Sequence, residues 1–321
     1  MIWRKVVLPA AAACFFPYAV TLGWTGRIYP DSSMWKQEMG EQAGERSGGG
    51  ERISSGRWII LDRDTLSYLD GEEYLVGVVA MQMPADYELE ALKAQAVIAR
   101  TYIYGLMGEE KEIYESALDM DYLEKAQMEQ LWGTREFMEF YQKTEQAVEE
   151  TSGMVMQYEG GYIDPLFTRC TAGYTRTDPQ RPYLQSVECP SDLQAEGWLQ
   201  ICEWTPEEFS KLVSMIPDGG PVSADQVPDT IQIGGRDGAG YVEVAQIGGT
   251  EFTGDELCYG LGLNSACFQL EDYEGKIRAV VKGIGHGYGF SQYEANEKAA
   301  EGWTWDELLT YFYQNISIVS V

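Results

Sequence analysis

From Glu88 onward, apolar side chains recur at spacings of three and four: Leu89, Leu92, Ala96, Ala99, Ile103 and Leu106. That period belongs to an α-helix with one apolar face. Such a face is stable only where another element covers it. The stretch just before, Tyr74 to Met81, is apolar almost throughout and stops at Pro84. Asp86 is placed to cap the helix, and Glu88 and Glu90 suit the positive end of its dipole. Lys93 and Arg100 stand seven residues apart and share a second face.

Around this helix the pattern changes repeatedly. Trp58-Ile59-Ile60-Leu61 reads as a strand, so structure is expected to begin near Arg57. Residues 109–135 are acidic and read as a helical hairpin or an insertion, with a second helix over 134–150. Met154 to Tyr158 and Tyr162 to Phe167 flank the glycine-rich turn Glu159-Gly160-Gly161, a hairpin pattern. Thr205-Pro206-Glu207-Glu208 opens a short helix. Strand-like pieces at 229–233 and 241–247 alternate with Gly-Gly turns, and Ala279 to Val281 reads as another strand. Residues 291–301 and 304–313 are expected to be helical, and Ile316 to Val321 forms a terminal strand. Strands and helices mix without a regular βαβ rhythm, which predicts α+β rather than a doubly wound sheet. No internal repeat is visible.

The amino-terminal segment has its own logic. Arg4 and Lys5 precede an apolar run from Val6 to Trp24, just long enough to cross a bilayer as a helix. Residues 1–25 are therefore expected to form a single transmembrane anchor, with the carboxy-terminal part outside the cytoplasm. A cleaved signal peptide is the competing reading. Residues 26–56, including Gly48-Gly49-Gly50, read as a flexible linker. Residues 57–321 then form the exported domain, with a lobe over 190–275. The charge fits an exported protein. With 23 basic against 51 acidic residues, the net charge is −28, which keeps the surface solvated and repels nucleic acid. Five cysteines lie beyond the anchor: Cys170, Cys189, Cys202, Cys258 and Cys267. None forms a C-x-x-C pair, and the chain has one histidine, His286, so no metal site or other cofactor is expected. Disulfide or free thiols are the readings for Cys170 and Cys189.

Two segments carry a resemblance. The first runs from Tyr74 to Pro84 and continues as Glu90-Ala91-Leu92-Lys93-Ala94-Gln95-Ala96-Val97-Ile98-Ala99-Arg100-Thr101-Tyr102. The second is Gly283-Ile284-Gly285-His286-Gly287-Tyr288-Gly289-Phe290-Ser291-Gln292-Tyr293-Glu294-Ala295. Between them lie Thr171-Ala172-Gly173-Tyr174-Thr175, Pro182 to Val187, and Gly260 to Ser265. In this order they resemble the SpoIID/LytB family, the stage II sporulation protein D and amidase-enhancer group. The resemblance implies a SpoIID-like mixed domain with an elongated glycan cleft. It implies a lytic transglycosylase of sporulation that cuts peptidoglycan glycan strands and leaves an anhydro product. It also implies partners, a wall amidase like SpoIIP and a membrane protein like SpoIIM.

The family's catalytic residue is the glutamate of an E-M-P motif, and here that position holds Gln82. Breaking a glycosidic bond needs a proton on the leaving oxygen, and a carboxylic acid supplies it. An amide has no such proton at neutral pH and cannot then act as the base that closes the anhydro ring. It can still donate and accept hydrogen bonds, so it can hold a glycan without cutting it. Two functions follow: a wall-binding protein impaired in cleavage, or an active lytic transglycosylase that uses another carboxylate such as Asp86 or Glu88. The matched motifs also imply substrate contacts at Lys93, Arg100, Tyr102, Thr171, Tyr174, Thr175, His286, Ser291, Gln292 and Tyr293. For Lys93 and Arg100 the plain reading is a solvated helix face; for His286 it is a buried imidazole satisfied by hydrogen bonds. Ser291 has no sequence-near base except His286, so a serine hydrolase is not read here. The alternating glycines 283, 285, 287 and 289 lack the G-K-[ST] of a phosphate loop and point to unusual backbone angles or close approach.

Overall fold

The structure, a computed structural model, describes residues 55–61, 67–217 and 220–321. The expected anchor and almost all of the expected linker, up to residue 54, lie outside the described residues. Among the described residues, no helix is long and apolar enough to cross a membrane.

Strand β1 (Trp58–Leu61) pairs antiparallel with β2 (Ser67–Asp70), and Asp70 caps helix α1 (Gly71–Gln82) by accepting from the Glu72 amide at 2.9 Å. The apolar stretch Tyr74 to Met81 is thus helical. It is apolar on every side because it is buried on nearly every side. Helix α2 (Leu89–Met107) follows and is likewise buried far beyond one stripe. Its amino-terminal cap position is Glu88, without a side-chain cap bond; Asp86 sits too early in the chain to cap it and is exposed. Leu106, expected on the covered face, is 48 % exposed because the helix emerges there toward its Gly108 end. Within 109–135, expected as a helical hairpin or an insertion, residues 112–114 form β3, parallel to β1, and the chain is helical from Lys125.

Helix α3 (Lys125–Glu150) breaks at Gly133, whose φ of 76° leaves the helical range, so its second part begins at Thr134 as the sequence predicts. Then β4 (Met154–Tyr158) turns through Glu159 and Gly160 into β5 (Gly161–Tyr162), and the terminal strand 317–320 pairs with β4 on its other side. The expected second hairpin strand is shorter than its pattern. The chain leaves the hairpin after Tyr162, and β6 (Phe167–Thr168) pairs instead in parallel with residues 290–291. One hydrophobic core joins α1, α2, α3, β1, β4 and the last two helices, Gln292–Ala300 and Trp305–Phe312.

A second core forms farther along the chain. Strand β7 (Leu199–Trp204) pairs with the strand at Lys276–Lys282, which pairs with Phe268–Tyr273. Helix α4 (Pro206–Val213) packs on this sheet. Its Thr205 and Glu208 form the reciprocal cap that the sequence announces, with Pro206 in the first turn. Strands β8 (Gln232–Arg236), β9 (Val242–Ile247) and β10 (Thr250–Thr253) make an antiparallel sheet that leads into helix α5 (Gly254–Leu261). Phe209, Val213, Val242, Phe252, Leu257, Phe268 and Ile277 fill the space between. The remaining elements, in chain order, are β11 (Phe268–Tyr273), β12 (Lys276–Lys282), β13 (Phe290–Ser291), α6 (Gln292–Ala300), α7 (Trp305–Phe312) and β14 (Ser317–Ser320). Several small sheets and interspersed helices make the mixed architecture that the irregular pattern predicts.

Candidate functional site

A cavity of about 240 Å³ opens where several segments meet. Gln82 comes from the end of α1, Ile98, Ala99 and Tyr102 from α2, and Asp164 to Arg169 from the segment around β6. Ile284, Gly285, His286 and Gln292 complete it from the glycine-rich loop and the start of α6. The loop can pass this close only because its alternating residues are glycines. At Gly289 a Cβ would strike the Leu166 carbonyl, at Gly287 the Tyr241 ring, and both residues have positive φ.

Gln82 is 4 % exposed and belongs to a chain of three amides. Gln95 Nε2 donates to Gln82 Oε1 at 2.8 Å. Gln292 Nε2 donates to the Gln82 backbone carbonyl at 2.8 Å and to Gln95 Oε1 at 3.2 Å. These contacts fix the Gln292 amide, since turning it over would set its oxygen against two acceptors. They leave Gln292 Oε1 buried and without a hydrogen-bond partner. An acceptor stranded in this way typically costs about 1–3 kcal/mol. Gln82 Nε2 donates to no atom among the described residues.

The cavity also holds a carboxylate, Asp164, which accepts from Arg181 at 2.6 Å. Asp86 and Glu88, the acids closest in sequence, are exposed and do not line it. Glu90 is engaged by Lys93 at 2.6 Å and by the Trp305 amide at 2.9 Å.

His286 Nδ1 accepts from the Tyr288 amide at 3.0 Å, so the neutral ring carries its proton on Nε2. Burial, reinforced by the positive charges of Arg176 and Arg181, pushes the imidazole down to about 4. The ring is therefore uncharged at neutral pH and lies on the cavity wall.

A second polar centre lies behind the cavity. Asp192 is fully buried and accepts from the Thr171 amide at 2.6 Å, the Thr171 hydroxyl at 2.7 Å, the Ser291 hydroxyl at 2.8 Å and the Glu294 amide at 3.0 Å. Burial raises its carboxyl to about 7 against the pull of the Thr171 and Ser291 bonds. Thr171 and Ser291 thus act together, tying the 170s segment to the start of α6 through one carboxylate. Ser291 is fully buried, and its partner is an acid rather than a histidine.

The other residues singled out in the sequence divide by location. Tyr102 and Gln292 line the cavity with Gln82 and His286. Arg100 is placed otherwise than the motif match implies. It is fully buried, with Nε and Nη2 forked onto Glu72 at 2.7 and 2.6 Å and its remaining donors on Thr151 Oγ1 and the carbonyls of Val148 and Met154. No donor remains for a glycan. Lys93 bridges Glu90 and Glu150, both at 2.6 Å. Burial opposes its charge, and the Glu150 and Glu90 hydrogen bonds outweigh that and hold it above the usual lysine range. The second face of α2 is therefore neither solvated nor part of the cavity; it fastens α2 to α1 and to the end of α3.

Tyr174 is 47 % exposed, with its hydroxyl on Glu188 at 3.3 Å. Thr175 is buried and pairs with the 185–187 backbone. Tyr293 is half-buried, and its amide donates to the Arg169 carbonyl at 3.0 Å. Cys170 and Cys189 are separate buried thiols, and burial raises both. Sequence reasoning does not find Gln95, Asp164 or Asp192. Gln95 does leave a signal, a polar residue three positions from Leu92 in the middle of an apolar stripe. Asp164 and Asp192 leave none, because their roles depend on contacts with distant segments.

The family described as SpoIID, Stage II sporulation protein, matches residues 62–158. Stage II sporulation protein D of Bacillus subtilis (strain 168) is 33 % identical over 260 residues, 77 % of this chain and 74 % of that protein. Its counterpart in Bacillus amyloliquefaciens is 32 % identical over 261 residues, 77 % of this chain and 73 % of that one. The protein named Amidase enhancer in Bacillus subtilis (strain 168) is 24 % identical over 298 residues, 77 % of this chain and 40 % of that protein. The ordered motifs and this extent of identity lead to one conclusion: the chain belongs to the SpoIID family.

Proposed function

We propose that this protein takes part in remodelling the peptidoglycan wall during sporulation, holding a glycan strand at the cavity around Gln82 without cutting it. The observation that carries the reading is the amide at position 82 and its surroundings. Where the family's signature has a catalytic glutamate, Gln82 offers an N–H and an occupied oxygen, and Gln95 and Gln292 hold it in place. General acid help is commonly worth about a hundred- to ten-thousand-fold. Where one residue must serve as both acid and base, its loss removes both steps. Asp164 is a carboxylate on the cavity lining, but one of its oxygens is held by Arg181. Asp86 and Glu88 lie outside the cavity, which removes support from the reading in which they replace the missing glutamate.

In this reading, residues 1–25 anchor the protein in the cell membrane, 26–56 form a stalk, and 57–321 face the wall, with 190–275 as a lobe. The partners are peptidoglycan glycan strands, an amidase like SpoIIP and a membrane protein like SpoIIM. The name of the relative called Amidase enhancer supports an auxiliary role beside an amidase. The test is a pair of assays on the purified full chain. Glycan strands freed of stem peptides are incubated with it and searched for anhydro-muramic ends by mass spectrometry, and insoluble wall material is used in a sedimentation assay. The proposal expects sedimentation with the wall and no anhydro ends. Release of anhydro ends by the native chain contradicts it, as does failure to bind the wall.

A further inference from the structure

Strand β7 is the outermost strand of its sheet. The order is β11, β12, β7, and no other strand among the described residues pairs with its far side. The Gly283 amide donates to the Trp198 carbonyl at 2.8 Å, and from there residues 200, 202 and 204 turn their amides and carbonyls toward β12. Leu199, Ile201 and Glu203 alternate with them, so their amides and carbonyls point outward, away from β12. The side chains of the same residues lie on the solvent face of the sheet, with Leu199 50 % and Ile201 57 % exposed. Cys202 and Trp204 lie on the other face, against the second core. An edge of this kind is ordinarily guarded by a charge, a proline or a bulge. Here no proline and no register shift interrupt it, and its one charge, Glu203, is held by Arg278 at 2.8 Å and Lys276 at 3.5 Å. We propose that this edge pairs with the same edge of a second copy of the chain, joining two three-stranded sheets into one of six strands across a two-fold axis.

The edge is complementary to itself. An antiparallel pair centred on Gln200 sets Leu199 opposite Ile201 of the partner subunit, and Ile201 opposite Leu199 of the partner subunit. The outward groups of these residues then exchange backbone hydrogen bonds, and two apolar pairs leave water on one face. Centring the pair one residue later sets Leu199 against a glutamate, and two residues later Ile201, so the register at Gln200 is the one that matches apolar with apolar. It also keeps the two Glu203 carboxylates about 20 Å apart along the strands, well beyond the screening length at physiological salt. Charge favours a second copy at this face. The chain as a whole carries −28, yet the solvent face of the sheet sets Lys276, Arg278 and Lys282 against Glu203 and Glu271. With Glu196, just ahead of β7, the two signs are equal in number. Two acidic molecules can therefore meet here without bringing like charges together. A contact of this kind uses the same patch on both copies, so it closes at two and does not propagate.

The test uses the full chain in a mild nonionic detergent at about 0.15 M salt. Sedimentation velocity and hydrogen exchange over residues 199–204 are each measured at about 1 and about 200 µM protein. The contact is one strand wide, and a dissociation constant no weaker than about 50 µM is expected. The native chain is then mainly monomeric at the lower concentration and mainly dimeric at the higher, and exchange over 199–204 slows by about threefold or more between them. The double variant Leu199→Lys, Ile201→Lys changes two exposed side chains and is expected to stay monomeric at both concentrations, with exchange that does not slow. Ile201→Pro removes one outward N–H and none of the bonds to β12, and the same result is expected. A native chain that is monomeric at about 200 µM, or whose exchange over 199–204 ignores concentration, overturns the proposal. So does a dimer that survives in either variant while its circular-dichroism spectrum stays native, because its contact then lies elsewhere. If neither variant folds, the two native measurements decide alone. None of these outcomes depends on whether the cavity holds a glycan.

Discussion

A carboxylic acid and its amide fill nearly the same volume, so exchanging one for the other at position 82 leaves the packing of the cavity intact and changes only what protons can do there. Gln95 can donate to either, which is why the surrounding network accommodates Gln82 without rearrangement. The same site offers a direct check through its imidazole. His286 is the one histidine in the chain, so its Hε1 gives a single signal in a proton spectrum. With its pKa lowered from 6.5 to about 4, that signal is expected to stay fixed between pH 8 and 5, and a midpoint near 6.5 would contradict the buried neutral ring. Between about 4 and 6.5 the unfolded chain binds more protons at this site, so the contribution is full above 6.5 and is lost as pH falls through that window. The loss is up to about 3 kcal/mol. Asp192 works the other way: its pKa is raised from 3.8 to about 7, so its burial is least favourable at neutral pH and is relieved as pH falls. Comparing the pH dependence of melting in the native chain and in His286→Gln isolates the histidine part. At this scale Gln82, Tyr102, His286 and Gln292 are legible from motif position. Arg100 is not, because a sequence shows that two cations share a helix face but not what packs against that face.

Helix α2 shows what such a face is for. Its apolar period is plain in the sequence, and its polar residues are internal fasteners. Arg100 is fully enclosed and its fork meets Glu72 on α1, so the two helices are joined by a charged pair in addition to their apolar contact. Removing one member of such a pair leaves the other uncompensated. Arg100→Met is expected to lower stability by about 3–5 kcal/mol, read from urea unfolding, and Glu72→Gln in the same background is expected to recover part of that loss. A change below about 1 kcal/mol would contradict this assignment. Caps are legible where they are local, as at Thr205, whose partner is three residues away. The sequence sets the start of α2 too early, because Asp86 is a good capping residue by type while the chain enters the helix only after Glu88. Helix α1 lacks any alternation to betray it, since burial on all sides erases the period that sequence reading depends on.

Across the whole molecule, Arg176 joins the turn between β8 and β9 to the loop at the cavity. Its Nε donates to Asp237 at 2.6 Å, and its Nη1 donates to the His286 carbonyl at 3.3 Å. Its guanidinium lies 4.8 Å from the Tyr241 ring and 4.5 Å from that of Tyr288. Asp237 and Tyr241 belong to the turn between β8 and β9, while His286 and Tyr288 belong to the loop at the cavity, so one side chain couples that turn to the site. Arg176→Met is expected to destabilise by about 3 kcal/mol through the unpaired Asp237. It is also expected to speed hydrogen exchange at 284–290 more than in α2, and uniform or unchanged exchange would contradict the coupling. No sequence pattern announces this joint, in which Arg176 and His286 lie 110 residues apart. At the largest scale the claim is that a SpoIID fold with an amide at position 82 holds glycan and does not cut it. The most direct measurement places the native full chain and Gln82→Glu side by side on glycan strands freed of stem peptides, with anhydro-muramic ends counted by mass spectrometry. The account predicts no such ends from the native chain and their appearance with Gln82→Glu; ends released by the native chain at the rate of the variant would contradict it.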